Sequence, residues 1–242
     1  MDNSFFEHIF EDLLNRKIPP FDLHVHTNWT DGKNSVNEIL KAADKIGLKS
    51  IFFSEHSRRN SANWFLNFKE EVQDNNNKFK CKGIVGTEVK VLNFNGDLDI
   101  SDEIASNSEL IMASVHRFPG EKGNISNNTK SYNKNEAIKI EYDLSMAAIE
   151  NPKTNILGHP FGMSLKRFKV IPPLKFFEEL IKKTASEKKV FEINIGYHPN
   201  LLDLIELCLK NNCLISIGSN AHTVQEVGKI NNFLKKEYER KN

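Results

Sequence analysis

The chain of 242 residues is long enough for one large α/β core, and no shift in composition marks a linker, so a single domain spanning residues 1–242 is expected. Its 33 lysines and arginines balance 32 acidic residues; a net charge of +1 gathers no long polyanion, and nucleic acid is not the expected partner. No apolar run approaches the ~20 residues needed to span a bilayer, and the N-terminus, with Asp2, Glu7, Glu11 and Asp12, lacks the order of a secretory signal. Cys81, Cys208 and Cys213 lie in or beside apolar segments without CxxC spacing, which suits reduced core thiols in a cytoplasmic protein with no membrane partner.

Residues 1–19 predict an amphipathic helix through Phe5, Phe6, Ile9, Phe10, Leu13 and Leu14, placed to plug the end of a barrel. A strand follows from Phe21 to His26. Ser35-Val36-Asn37-Glu38 forms a capping box that opens a helix with Val36, Ile39, Leu40, Ala43 and Ile46 on one face and Gly47 at its end. Further strands are expected at Ser50 to His56, Gly83 to Val91, Leu110 to His116, Asn155 to His159, Val190 to Gly196 and Leu214 to Ser219, with helices at about 136–150, 173–187 and 200–211 between the later ones. The Asn-rich patch from Asp74 to Asn77 reads as a turn. The segment from Phe118 to Asn135 is long for a compact domain and reads as a lid or binding loop. A second box, Thr223-Val224-Gln225-Glu226, is expected to open the last helix.

Alternation of strand and helix from residue 21 onward points to a closed or nearly closed parallel barrel, with a doubly wound open sheet as its competitor. Side-chain parity favours the barrel. Asp22, His24 and His26 share one side of the first strand, as Glu192 and Asn194 do in the sixth and Ser216 and Gly218 in the seventh, so a polar interior faces an apolar exterior.

Six of the 8 histidines, His24, His26, His56, His116, His159 and His222, stand at or just past the ends of these apolar runs. Imidazoles delivered from the ends of many strands converge on one rim, where they hold metal ions. The pair in Asp22-Leu23-His24-Val25-His26-Thr27 points to one side of a strand, and gains weight from its company: Asp31, Ser54-Glu55-His56, Gly86-Thr87-Glu88, Ser114-Val115-His116, Gly158-His159-Pro160 and Gly218-Ser219-Asn220-Ala221-His222.

Together these segments resemble the polymerase and histidinol phosphatase family, usually called the PHP family, from about residue 21 to 223. The resemblance implies a distorted TIM-like barrel of seven strands, an α/β fold with two or three divalent ions at its C-terminal rim, and hydrolysis of phosphate esters by metal-activated hydroxide. It implies that His24 and His26 hold a first ion with Glu88 and Asn220, that Glu88 bridges to a second held by His116 and His159, and that Asp31, His56 and His222 hold a third. The family usually shows an aspartate where this chain has Asn220, and an amide oxygen brings no charge, so the first ion is expected to be held less tightly. Imidazole and carboxylate donors admit zinc, manganese or iron.

Cations that follow strand ends suit a tetrahedral phosphate: Arg117 foremost, then Arg58, Arg59, Lys166 and Arg167. His198 in Tyr197-His198-Pro199 is a candidate to protonate a leaving group or grip phosphate. Ser54, Ser114 and Ser219 lie in no nucleophile elbow and read as packing groups, whereas Glu192, Asn194 and Asp22 are candidates to orient ligand imidazoles. The expected substrate is a small phosphomonoester of the histidinol phosphate kind. Alternatives are a nucleotide or nucleic-acid-end phosphoesterase, an amidohydrolase or lactonase, and a metal-binding module that has lost catalysis.

Overall fold

The computed structural model describes residues 4–121 and 132–240. Seven strands, Phe21–Val25 (β1), Ser50–His56 (β2), Lys82–Lys90 (β3), Leu110–Ser114 (β4), Ile156–Leu157 (β5), Val190–Asn194 (β6) and Leu214–Gly218 (β7), pair in sequence order and all in parallel. A doubly wound sheet would reverse its strand order at a switch point, and this one does not. The ring closes where His26 N–H donates to Ala221 O at 2.8 Å and Ala221 N–H to His24 O at 3.1 Å. Residues of β1, β4 and β6 are buried throughout, as expected of strands with a packed lumen inside and helices outside.

The helices among the described residues are Ser4–Leu14 (α1), Val36–Lys45 (α2), Ala62–Asn76 (α3), Asp102–Asn107 (α4), Lys134–Glu150 (α5), Gly162–Lys166 (α6), Leu174–Ser186 (α7), Leu201–Lys210 (α8) and Lys229–Arg240 (α9). Helix α1 buries Phe6, Ile9 and Leu13 and sets the Phe5 ring 4.5 Å from that of Phe21, so it packs where β1 begins, beside β7. Both halves of the Ser35 capping box form at the head of α2.

Two local expectations are corrected, and a third falls mainly outside the described residues. Thr223 and Glu226 do bond to each other, but within a turn; Gly228, at φ 74°, donates its N–H to Asp22 Oδ2 at 2.8 Å, and the last helix starts only at Lys229. Asp74 to Asn76 are the last turn of α3, with Asn76 Oδ1 accepting from Gly83 N–H at 2.6 Å and its amide donating to Gly83 O at 2.9 Å. Of the Phe118 to Asn135 loop, residues 122–131, on which the lid expectation chiefly falls, lie outside the described residues; its ends are anchored by Phe118 stacking on Phe168 at 5.5 Å and by an Asn133–Glu136 capping box on α5.

Candidate metal centre

Every strand leaves at least one polar residue at or just past its C-terminal end, and these meet in a cavity of about 730 Å³. Glu88, near the end of β3, stands at its floor with its side chain 1% exposed. Its Oε1 lies 3.0 Å from His116 Nε2 and 2.7 Å from His159 Nε2, while Oε2 lies 3.4 Å from His24 Nε2, 3.7 Å from His26 Nε2 and 3.2 Å from His56 Nδ1. Five imidazoles thus surround one carboxylate. Burial alone would raise its pKa, but the charges of His116, His24 and His159 outweigh burial and hold it well below the usual carboxylate range.

The nine residues that the resemblance implies as ligands are all brought to this cluster. His24 Nε2 and His26 Nε2 are 3.0 Å apart, Asn220 Oδ1 is 3.1 Å from His26 Nε2, and Glu88 Oε2 lies 3.4 Å and 3.7 Å from the two imidazole nitrogens. Asp31 Oδ2 lies 3.4 Å from His56 Nε2 and 3.3 Å from His222 Nε2. The sets also interlock, because His26, His56 and His222 form one close triad and His24, Glu88 and His159 another. His26 Nδ1 is buried, has no hydrogen-bond partner among the described residues, and lies 3.9 Å from Asp31 Oδ1. Such an orphaned nitrogen is costly unless something electropositive meets it. Clustered imidazole nitrogens and carboxylate oxygens at these separations fit divalent cations.

The supports are specific. Glu192, fully buried on β6, accepts the Nδ1–H of His24 at 2.7 Å and the backbone N–H of His159 at 2.5 Å, and Asn194 donates to its Oε1 at 2.7 Å. This fixes the His24 tautomer with Nε2 turned to the cluster. Burial pushes against the Glu192 anion, but the His24 charge prevails and its pKa is lowered. A side chain at Gly218 would strike Glu192 Oε1 at 2.5 Å and His24 Cβ at 2.6 Å, so the last strand must carry glycine there. Glu55 accepts from Thr27 N–H at 2.7 Å and from the Thr30 hydroxyl, pinning the loop that presents Asp31. His159, at φ 22°, and Phe161, at φ 67°, are left-handed; Glu141 of α5 holds this bend by accepting from Met163 N–H at 2.9 Å and Ser164 N–H at 2.6 Å. Asn220, at φ 50°, occupies a region that asparagine tolerates better than most residues.

Not every candidate reaches the cavity. His198 is 2% exposed; its Nδ1 accepts from Asn194 N–H and its Nε2 donates to Pro160 O, both at 3.1 Å, and burial draws its pKa down to about 4. It is a buried brace for the loop after β6, not a proton donor at the rim. Asp22, placed by parity with the histidines, instead accepts from Ser219 N–H at 2.9 Å and Gly228 N–H at 2.8 Å, since pairing slips between Asp22 and Val25. Arg167 is bound to Glu121 at 2.7 Å and Arg59 donates to Leu98 O, whereas Arg58, Arg117 and Lys166 line the cavity. Ser54 and Ser219 spend their hydroxyls on backbone groups. Sequence reasoning assigns no role to Tyr197, whose ring stacks on His159 at 4.2 Å and whose hydroxyl adjoins Asn220. Its place two residues beyond Ile195, past the sixth strand, was the available signal.

A Clostridium novyi protein named "Probable phosphatase" is 26% identical over 223 residues, 86% of this chain and 80% of that one. A Clostridium botulinum protein of the same name is 29% identical over 233 residues, 88% of this chain and 84% of that one. A crystal structure of a Listeria monocytogenes protein described as a "putative histidinol phosphatase" superposes with a TM-score of 0.70 at 16% identity, covering 86% of this chain and 97% of that one, and shares the fold. The model of the PHP domain matches residues 22–196, and the chain belongs to that family.

Proposed function

We propose that the protein is a metal-dependent phosphatase that hydrolyses a small phosphomonoester, with His24, His26, Asp31, His56, Glu88, His116, His159, Asn220 and His222 as ligands of two or three divalent ions. The observation that carries this reading is the buried Glu88 carboxylate with five imidazole nitrogens within 3.7 Å of its oxygens, at the floor of an open cavity. When bound there, zinc, manganese or iron supplies Lewis acidity and a water activated for attack on phosphorus.

The chain's own groups divide the remaining work. Glu88 stays ionised and shares its two oxygens between neighbouring donor sets, and Glu192 keeps His24 turned toward them. Arg117, next to His116 and lining the cavity, is placed to grip phosphate oxygens. Tyr197 keeps its proton, because burial and the nearby Glu88 and Glu192 raise its pKa, and so presents a donor at the cavity wall. No described helix is long and apolar enough to cross a membrane, and three buried unpaired cysteines suit a reducing compartment, which supports the cytoplasm as the place of action.

The test is to purify the protein without chelator, measure its metals by elemental analysis, and screen phosphomonoesters, diesters and lactones with Mn²⁺ or Zn²⁺ added. Monoester turnover that His116→Ala abolishes is the expected result. Stoichiometric metal with no turnover of any ester would contradict it.

A further inference from the structure

We propose that Tyr197 is a positioning residue for Asn220: its hydroxyl takes up the amide nitrogen, so that the amide oxygen is the end turned to the first ion. The proposal rests on the reading of Asn220 as a ligand, given above, and adds what aims it. An amide differs from a carboxylate in having unlike ends. A carboxylate presents an oxygen whichever way it turns, whereas an amide turned the wrong way presents an N–H donor, and a cation opposite it finds no lone pair.

Asn220 and Tyr197 both line the cavity. Asn220 Oδ1 lies 3.1 Å from His26 Nε2, on the side of the first donor set, and the amide nitrogen donates toward the phenol oxygen of Tyr197. The backbone that carries Asn220 is held on both sides. Before it, the Ser219 N–H donates to Asp22 Oδ1 at 2.9 Å and the Ser219 hydroxyl accepts from Ile230 N–H at 3.1 Å; after it, Ala221 closes the barrel against His24 and His26. Rotation of the amide is the freedom that remains.

Tyr197 is placed to remove that freedom. Its N–H donates to Asn194 O at 3.2 Å, its ring lies 4.2 Å from that of His159 with 21° between the planes, and a side chain at Gly162 would come within 2.9 Å of its Cδ1. The ring is therefore set before its hydroxyl meets Asn220. Stacking on His159 does not explain a hydroxyl at this position, because a phenylalanine ring stacks as well. A phenol oxygen can accept from the amide and still donate its own proton, so the donor at the cavity wall is kept. An uncharged ligand needs such a partner; an aspartate at residue 220 would not.

The test is a double-mutant cycle on metal binding, read by chelator competition for Mn²⁺ with the full-length protein. Asn220→Gly, which tolerates the φ of 50° at this position, identifies the step of the titration that residue 220 serves. Tyr197→Phe should weaken that same step about tenfold. In the Asn220→Asp background Tyr197→Phe should change it by less than about twofold, because either carboxylate oxygen meets the ion. No weakening by Tyr197→Phe in the parent, or equal weakening in both backgrounds, would overturn the proposal; the second result would reduce Tyr197 to packing on His159. If Asn220→Gly moves no step, Asn220 is no ligand and the proposal falls with it, while turnover of phosphomonoesters by the parent protein still decides the phosphatase reading. If no ester is turned over, the phosphatase reading fails and the same titrations still decide the role of Tyr197.

Discussion

Glu192 and His24, 168 residues apart in sequence, meet at 2.7 Å with neither side chain exposed. The same carboxylate holds the backbone of His159, so one residue on β6 sets the aim of two imidazoles from β1 and the loop after β5. Glu192→Gln keeps the shape but places an amide where two donors converge. Metal affinity or turnover should fall by about 10–100-fold, measured by chelator competition and by monoester kinetics, while circular dichroism stays that of the parent.

Glu88→Gln removes the charge that five imidazoles share. The variant should lose most of its bound metal by elemental analysis, and added Mn²⁺ should not restore turnover. Full metal content in this variant would show that Glu88 is no ligand.

Asn220→Asp restores a charge 3.1 Å from His26 Nε2. The first ion should be held more tightly, seen as a shift of the chelator competition curve to higher chelator concentration. Identical titrations of the two proteins would remove residue 220 from the ligand set.

Glu141, which is not itself in the ligand set, provides a pH-dependent handle on the bend that follows His159. Burial, resisted by its bonds to Ser164 and Met163, raises its pKa from 4.5 to about 7. The folded state then binds a proton that the unfolded state releases, so this contribution to stability is present below about pH 4.5 and is lost as pH rises through about 7. Glu141→Gln abolishes the titration. Going from about pH 5 to about pH 8, wild type should lose thermal stability relative to the variant, and a constant difference in melting temperature would count against it.

The barrel was legible because each strand is a short, mainly apolar run with a polar residue at or just past its end, and because alternate side chains in β1 and β6 differ so sharply in polarity. The ligand cluster was legible for the same reason: strand ends are where the fold gathers side chains. What escaped depended on distant partners. The Thr223 box looked like a helix start, but Asp22 draws Gly228 N–H inward and delays α9. His198 follows a strand as the ligands do, yet Pro160 and Asn194 claim both its nitrogens. Asn75 and Asn76 read as turn residues, but their side chains bond to Glu71 and Gly83, and the helix continues through them. Helices α3, α4 and α6 were not named from the sequence; α4 and α6 are only 6 and 5 residues long, too short for a periodic signal.

The most direct measurement is anomalous diffraction at the manganese edge from crystals soaked in Mn²⁺. The account predicts at least two peaks within about 2.5 Å of donor atoms, one touching each Glu88 oxygen. An absence of peaks at Glu88, with manganese bound elsewhere or nowhere, would contradict it.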